Sequence, residues 1–225
     1  MRYLSKRFKG EYGILRLIFL FLLILFGSAP ATISLVRPDI DTKYLYIIAG
    51  GYALFSLIFF LIFYRNDSMG RSFKDSLKIV FLNIVSIYIL SFLLDLIFKG
   101  KATTSQNQEA IESMLKVSFS PALVAHMVLL APVVEEYTFR EVLPGLFRKI
   151  FSRREEGLKD FLSLIFANIV FSLLHTPTDL YSFLTYFSIG FVLVMVRHFT
   201  NSLKLSALVH MTWNLLSVII LYFVL

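Results

Sequence analysis

Long apolar stretches recur along the whole chain, separated by short polar connections. Seven of them reach or approach the roughly 20 residues that a helix needs to cross a bilayer. They are Ile14–Val36, Tyr44–Tyr64, Leu77–Phe98, Pro121–Leu143, Phe161–His175, Leu180–Val196 and Leu203–Leu225. No connection is long enough to form a soluble domain, and there is no internal repeat. The pattern predicts an all-α, polytopic membrane protein of about seven transmembrane helices, in which segments 1–114 and 115–225 form one membrane domain.

The composition supports a membrane protein. Hydrophobic residues make up 57% of the 225 residues and charged residues only 16%, whereas soluble domains are about 25% charged. The chain has no cysteine, which excludes disulfides and thiol catalysis. The lipid bilayer is therefore the first partner that the sequence predicts.

The net charge of +7 would suit a nucleic-acid-binding protein, but the basic residues lie in alternate connections. Sixteen of the 22 Lys and Arg occur at the N-terminus and in the second, fourth and sixth connections, and five in the others. By the positive-inside rule, the N-terminus is cytoplasmic and the C-terminus external. The charge thus indicates topology, and no nucleic-acid partner is expected.

The first apolar stretch has features of a secretory signal peptide, because a basic start and an apolar run precede Ala29-Pro30-Ala31. The proline within this small-residue triplet and the apolar residues after it favour an uncleaved membrane anchor. Cleavage would leave the orientation of the later spans unchanged.

Three charged residues lie within the fourth stretch: Glu135, Glu136 and Arg140. A charge at the bilayer centre costs roughly 3 kcal/mol on insertion scales, so each should have a partner. Glu136 and Arg140 are four residues apart and can pair on one helix face, which leaves Glu135 to find a partner on another helix. Pro132 should free a carbonyl one turn back and bend the helix, and Pro144 is expected to end it.

Other polar residues occur on later spans: His175 closes the fifth, and His210 and Asn214 share one face of the seventh. Any one of them alone is explained equally well by a hydrogen bond between helices. Several polar positions on three helices of so apolar a chain favour a functional site. His126, on the opposite face from Glu135, is expected to serve packing or to lie at an interface.

Intramembrane proteolysis requires an activated nucleophile, and several routes are excluded by the sequence. The chain has no GxSxG serine elbow, no HExxH zinc motif and only one aspartate within a span. A glutamate, two histidines and an asparagine remain.

These residues resemble the motifs of the CPBP family, the CAAX-protease and bacteriocin-processing (Abi) group of intramembrane endopeptidases. Glu135, Glu136 and Arg140 form EExxxR, Phe171 and His175 form FxxxH, and His210 and Asn214 form HxxxN. Phe187-Ser188-Ile189-Gly190 stands where the family has a small-residue motif, and Gly190 is expected to allow close helix packing. The resemblance covers roughly residues 115–220, so 115–225 is the expected catalytic core.

The resemblance implies a role for each motif residue. Glu135 would activate a water with help from His175, while His210 and Asn214 would stabilise the oxyanion. Glu136 and Arg140 would orient Glu135. Glu135, His175 and His210 would also suit a zinc ion as a His₂Glu site, but asparagine is a poor zinc ligand and a good oxyanion donor, which favours a scheme with no cofactor.

The expected function is hydrolysis of a peptide bond in a peptide or membrane-protein substrate. The resemblance implies bacteriocin self-immunity or peptide processing in a bacterial cytoplasmic membrane. Two alternatives come from other classes: a non-catalytic membrane regulator or immunity protein that binds a membrane partner, and a proton-coupled transporter, against which the missing repeat counts.

Overall fold

The computed structural model describes residues 13–27, 29, 41–65, 67, 70–98, 105–117 and 120–224. Within these ranges the chain is helical and has no strand, which confirms the predicted all-α fold. The helices are α1 (Gly13–Phe26), α2 (Thr42–Phe63), α3 (Phe73–Ile97), α4 (Gln106–Val117), α5 (Pro121–Ile150), α6 (Glu156–Leu174), α7 (Leu180–Thr200) and α8 (Leu203–Val224).

Six of these helices, α2, α3 and α5 to α8, are long and apolar enough to cross a membrane. The protein is therefore a multi-pass membrane protein. Helix α1 has 14 residues, and most of the predicted first span beyond it, including Pro30 and Ala31, lies outside the described residues. A seventh span, the orientation of the chain and the boundary at residue 114 stay predictions.

Polar side chains fix several helix starts. Ser72 begins α3 by accepting the N–H of Asp75 at 3.2 Å, and Asp179 begins α7 in a reciprocal capping box with Ser182. The start of α8 is held from a distant part of the chain, because Asp67 accepts the N–H groups of Leu203 and Lys204 at 3.1 and 2.9 Å. This cap ties the connection after α2 to the helix that carries His210.

Helix α5 contains two π-helical turns, His126–Leu130 and Thr138–Val142. The N–H of the residue after each turn bonds the carbonyl five residues back: Ala131 to His126, and Leu143 to Thr138. A proline comes next in each case, Pro132 and Pro144. Because proline has no N–H, the next carbonyls in the series, those of Met127 and Phe139, have no donor at that spacing.

The sequence-based expectation that Pro144 ends the helix is wrong. The chain continues in helical form through Pro144 to Ile150. The π turn before Pro144 adds one residue to that turn of the helix. The carbonyl that would otherwise accept the N–H of residue 144 is that of Phe139, and it accepts a hydrogen bond from the side chain of Arg140 instead. Proline in a membrane helix is tolerated where such donors exist.

Helix α5 lies in the middle of the helical packing. Leu20 of α1 and Phe59 of α2 pack with Val133 and Tyr137 of α5, while Phe139 packs against Ala167 and Phe171 of α6. A third cluster joins Ile87 of α3 to Leu193 of α7 and Val209 of α8. The polar residues of α5 are thus enclosed on several sides, which positions the site.

Candidate active site

Glu136 lies at the centre of a buried polar network and is 0% exposed. Its Oε2 is 3.5 Å from the Nε of Arg140, the pair predicted from the i,i+4 spacing. Ser206 of α8 donates its hydroxyl to the same oxygen, and His210 lies with Nδ1 3.1 Å from Oε1. Two helices therefore satisfy this carboxylate completely, as a buried charge requires.

Glu135, the adjacent residue, has different surroundings. Its side chain is 14% exposed. Among the described residues, one histidine lies within 4.0 Å of its carboxylate: His210, whose Nε2 is 3.8 Å from Oε2. The partner on another helix that the sequence predicted is therefore His210. The side chain of Glu135 is thus less enclosed than that of Glu136, which is 0% exposed.

His210 lies between the two glutamates, with Nδ1 towards Glu136 and Nε2 towards Glu135. Because Glu136 is paired with a guanidinium and acts as an acceptor, Nδ1 carries a proton and donates it to Glu136. The ring is 4% exposed. Its Nε2 is then the nitrogen that faces the candidate reaction centre.

His175 ends α6, where the last carbonyls of a helix lack backbone donors. The backbone N–H of His175 bonds the carbonyls of Ser172 and Leu173, so the carbonyl of Phe171 does not receive the N–H four residues ahead. The ring Nδ1 of His175 lies 2.9 Å from that carbonyl oxygen and donates to it. Nε2 is consequently the unprotonated nitrogen of a neutral His175, with a lone pair that can accept a proton or a water hydrogen.

The Phe171 ring brings the three motifs together. Its centroid is 4.5 Å from that of His175 and 6.0 Å from that of His210, and the Arg140 guanidinium carbon lies 5.1 Å from it. The ring is 1% exposed. The phenylalanine of the FxxxH motif thus sets the spacing between the two histidines and covers the buried arginine.

Asn214 and Arg140 donate hydrogen bonds to the two carbonyls that the prolines leave without backbone donors. Asn214 donates from Nδ2 to the Met127 carbonyl at 2.8 Å, and Arg140 donates from Nη1 to the Phe139 carbonyl at 3.5 Å. The first bond comes from α8 and orients the amide of Asn214. Since an amide nitrogen has two hydrogens, one N–H of Asn214 remains for another acceptor.

Gly190 of α7 is the close-packing position that the sequence predicted. Its carbonyl accepts from Nη2 of Arg140 at 3.2 Å, and a Cβ placed on it would come within 2.0 Å of Oδ1 of Asn168. Only a hydrogen fits there. The glycine allows α6 and α7 to approach closely enough for the α7 backbone to bind Arg140.

The zinc alternative requires Glu135, His175 and His210 to converge on one ion. Within the described part of the chain, no three His, Asp or Glu side chains are grouped closely enough to do so. The bonds of Nδ1 in the two histidines leave each Nε2 available and so do not decide between the two schemes. As they stand, the described side chains do not form a His₂Glu centre, so the reaction proposed for this site uses no metal, and the zinc alternative stays a prediction.

Three residues of the site are absent from the sequence-based set: Ser206, Asn168 and Tyr186. Ser206 lies one turn before His210, so its position on the same face was a readable signal. Asn168, which donates to the Phe187 carbonyl at 3.0 Å, lies one turn before Phe171. Nothing in the sequence singles out Tyr186. His126 packs edge-on against Tyr52 at 5.4 Å, which confirms its expected packing role.

A second buried ion pair lies outside this network. Nη2 of Arg197 in α7 is 2.9 Å from Oε2 of Glu141 in α5, and both side chains are largely buried. The sequence placed Arg197 among the cytoplasmic charges and did not predict this contact. It joins the second π turn of α5 to α7.

Comparison with known proteins finds similarity to a described family over the part of the chain that carries the candidate site. Residues 117–216 match the model of the Rce1-like group, described as type II CAAX prenyl endopeptidase Rce1-like. The UPF0177 protein YvdC of Lactococcus lactis subsp. lactis (strain IL1403) is 31% identical over 121 residues, which are 54% of this chain and 43% of that protein. The chain thus spans less than half the length of that relative. No solved structure matches the chain significantly.

The matched region contains every residue of the EExxxR, FxxxH and HxxxN motifs and the network that they form. The resemblance stated from those motifs is therefore confirmed. Residues 117–216, less than half of the chain, are thus similar to the Rce1-like type II CAAX prenyl endopeptidase group, and this match is consistent with the CPBP family.

Proposed function

We propose that this protein is an intramembrane endopeptidase that hydrolyses a peptide bond with a water activated by Glu135. The observation that carries the proposal is the contrast between the two adjacent glutamates. Glu136 is sealed, and its carboxylate is occupied by Arg140, Ser206 and His210. Glu135 is partly exposed beside the same histidine. The carboxylate of Glu136 can only hold its neighbours in position, whereas the carboxylate of Glu135 can accept a proton from a bound molecule.

In the proposed reaction, the carboxylate of Glu135 takes a proton from a water molecule. The lone pair on Nε2 of His175 accepts the other water hydrogen in a hydrogen bond and so orients the attacking oxygen. The water oxygen bonds to the carbonyl carbon of the substrate, and the carbonyl oxygen takes up the negative charge. The C–N bond then breaks, and Glu135 returns its proton to the leaving amine.

The free N–H of Asn214 is the proposed donor to the oxyanion, together with Nε2 of His210 when that nitrogen carries a proton. The bond from Asn214 to the Met127 carbonyl fixes the amide before the substrate arrives. Donors oriented in advance in a site with little water stabilise developing charge strongly. Glu136 and Arg140 hold His210 and the backbone of α5 in place.

The substrate class follows from the position of the site among buried faces of membrane helices. A peptide, or the membrane-proximal segment of a membrane protein, would reach Glu135 from the bilayer or its edge. The bacterial relative and the CAAX-type family support a role in peptide processing or bacteriocin self-immunity in a bacterial cytoplasmic membrane.

The test is a cleavage assay with the full-length protein in detergent and in liposomes. The probes are a fluorescence-quenched prenylated peptide ending in a CAAX sequence and the same peptide without the prenyl group. We expect Glu135→Gln to keep wild-type abundance and to lose about 10²- to 10⁴-fold in rate, the usual value of a general base. Glu155→Gln, the same change at an exposed glutamate, should leave the rate unchanged.

Two outcomes would contradict the proposal. If Glu135→Gln cleaves like wild type, or if wild type cleaves neither probe, the motifs serve a non-catalytic membrane regulator. A strong chelator added to the wild-type assay examines the metal alternative. Activity that disappears with the chelator and returns with zinc would replace Glu135-activated water by a zinc centre.

A further inference from the structure

His175 contacts two aromatic rings, those of Tyr186 and Phe171. Tyr186 of α7 is nearly parallel to the imidazole, with ring centroids 4.2 Å apart and an interplanar angle of 27°. The Phe171 ring lies on it at 4.5 Å and 55°. Together with the bond from Nδ1 to the Phe171 carbonyl, these contacts fix the plane of the imidazole and the direction of Nε2.

Tyr186 is itself anchored by the start of α4. The hydroxyl of Ser105 donates to the hydroxyl oxygen of Tyr186 at 3.1 Å and accepts the N–H of Gln108 at 3.1 Å. One serine side chain therefore both caps α4 and holds the ring that stacks on His175.

A second contact from the same end of α4 reaches the residue after His175. The N–H of Gln106 bonds the carbonyl of Thr176 at 3.3 Å. Thr176 has a φ of 48°, a left-handed conformation that is an outlier for a β-branched residue. Such conformations persist where neighbouring structure imposes them, and here the α4 N-terminus bonds directly to the strained residue.

We propose that Tyr186 is a positioning residue for His175, and that Ser105, at the start of α4, holds Tyr186 in place. This rests on the proposed function, because the role of His175 is to direct Nε2 at the attacking water. Tyr186 touches neither substrate nor water in this scheme and acts only through the imidazole. Helix α4 thereby becomes part of the catalytic apparatus, although it carries no motif residue.

Three variants separate the ring from its hydroxyl. Tyr186→Leu removes the stacked ring, whereas Tyr186→Phe removes only the link between the two hydroxyls. Ser105→Ala removes that link and also the bond that caps α4. We expect Tyr186→Leu to lower kcat roughly 10- to 100-fold, the cost of an ångström-scale misplacement, with KM changed less than about twofold. Tyr186→Phe should lose less than Tyr186→Leu. Ser105→Ala should lose at least as much as Tyr186→Phe, because it also loses the α4 cap, and the double variant Tyr186→Phe/Ser105→Ala should lose no more than Ser105→Ala alone.

A spectroscopic readout follows the imidazole directly. The chain has four histidines, so ¹⁵N- and ¹³C-labelled histidine gives few ring signals, and His175→Asn identifies the one of interest. The His175 signals should keep their ring-current shift in Tyr186→Phe and lose it in Tyr186→Leu. Tyr181→Phe is the matched control, because Tyr181 is on the same helix but donates to Asp95 of α3.

The outcomes distinguish the two proposals. If Glu135→Gln is inactive while Tyr186→Leu has wild-type kcat and unshifted His175 signals, the positioning role is overturned and the proposed function stands. Wild-type activity in Glu135→Gln overturns the proposed function whatever Tyr186 does. A loss in Tyr186→Leu that Tyr181→Phe reproduces would mean that α7 packing, not His175, was disturbed.

Discussion

The outer helices α2 and α3 and the inner helices α5 to α8 satisfy their polar groups in different ways. Of the most apolar 18 residues of each helix, only 17% in α2 and 11% in α3 are buried, against 33% to 56% in the inner helices. Their small polar side chains donate to the carbonyl four residues earlier in their own helix: Ser56, Ser76, Asn83 and Ser86.

The inner helices contain bonds of that kind too, such as those of Thr138 and Ser172, but the polar residues of the candidate site also bond across helix boundaries. Ser206 and His210 of α8 bond Glu136, Asn214 bonds the Met127 carbonyl, and Arg140 bonds the Gly190 carbonyl. The small polar side chains of the outer helices can therefore bond within one helix, whereas these side chains of the inner helices find their partners only in the assembled bundle. The candidate site lies among the second set.

The largest expected effect is at the buried pair of α5. Arg140→Ala leaves Glu136 as a buried carboxylate without its cation, and breaking such a pair costs about 3–5 kcal/mol. We expect a sharp fall in both membrane abundance and thermal midpoint in detergent, along with activity. Arg153→Ala, at an exposed arginine after α5, should change neither abundance nor thermal midpoint. Equal abundance of the two variants would show that the buried pair is not needed for stability.

A matched pair of asparagines gives an intermediate effect. Asn214→Ala strands the Met127 carbonyl, which costs about 1–3 kcal/mol, and removes an oxyanion donor, which should lower kcat by about 10²- to 10³-fold. Asn83→Ala removes a bond within α3 and should stay within about 0.5 kcal/mol. Thermal unfolding and the peptide assay measure both. The comparison fails if Asn83→Ala is as damaging as Asn214→Ala.

The smallest effect is expected on the outer face of α3. Phe81 is 67% exposed and, in a bilayer, faces lipid tails that are as apolar as leucine. Phe81→Leu should leave the thermal midpoint and the cleavage rate within error of wild type. A clear loss in liposomes would indicate that another helix or a second chain packs there.

Much of the fold was predictable because apolar length is a direct signal of a membrane helix. The stretches Tyr44–Tyr64 and Leu77–Phe98 correspond closely to α2 and α3. The end of α5 was not predictable in this way, because the usual rules for helix termination treat Pro144 as the end of a helix. A π turn and a side-chain donor accommodate it here, and neither can be recognised from the local sequence.

The site was partly predictable for a similar reason. The pairing of Glu136 with Arg140 depends only on helical spacing, and His210 was a candidate because it is polar in an apolar span. The contacts of Ser206 and Tyr186 depend on how helices far apart in the chain are rotated against each other. Each π turn also shifts the residues beyond it by one position around the helix, so a simple 3.6-residue period misplaces them. The catalytic roles themselves stay predictions.

The long sequence separation within the Glu136 network bears on how the protein is made. Ser206 and His210 follow Glu136 by 70 and 74 residues. At the ~5–20 residues per second of ribosomal synthesis, roughly 4 to 14 s pass before they leave the ribosome. During that interval α1, α2 and α3 are already made, and residues of α1 and α2 share a buried cluster with α5. The Tyr64 hydroxyl, which donates to the Val133 carbonyl at 2.7 Å, lies on that earlier side. Helices α1 and α2 thus provide the first contacts of α5, before α8 supplies the hydrogen bonds to Glu136.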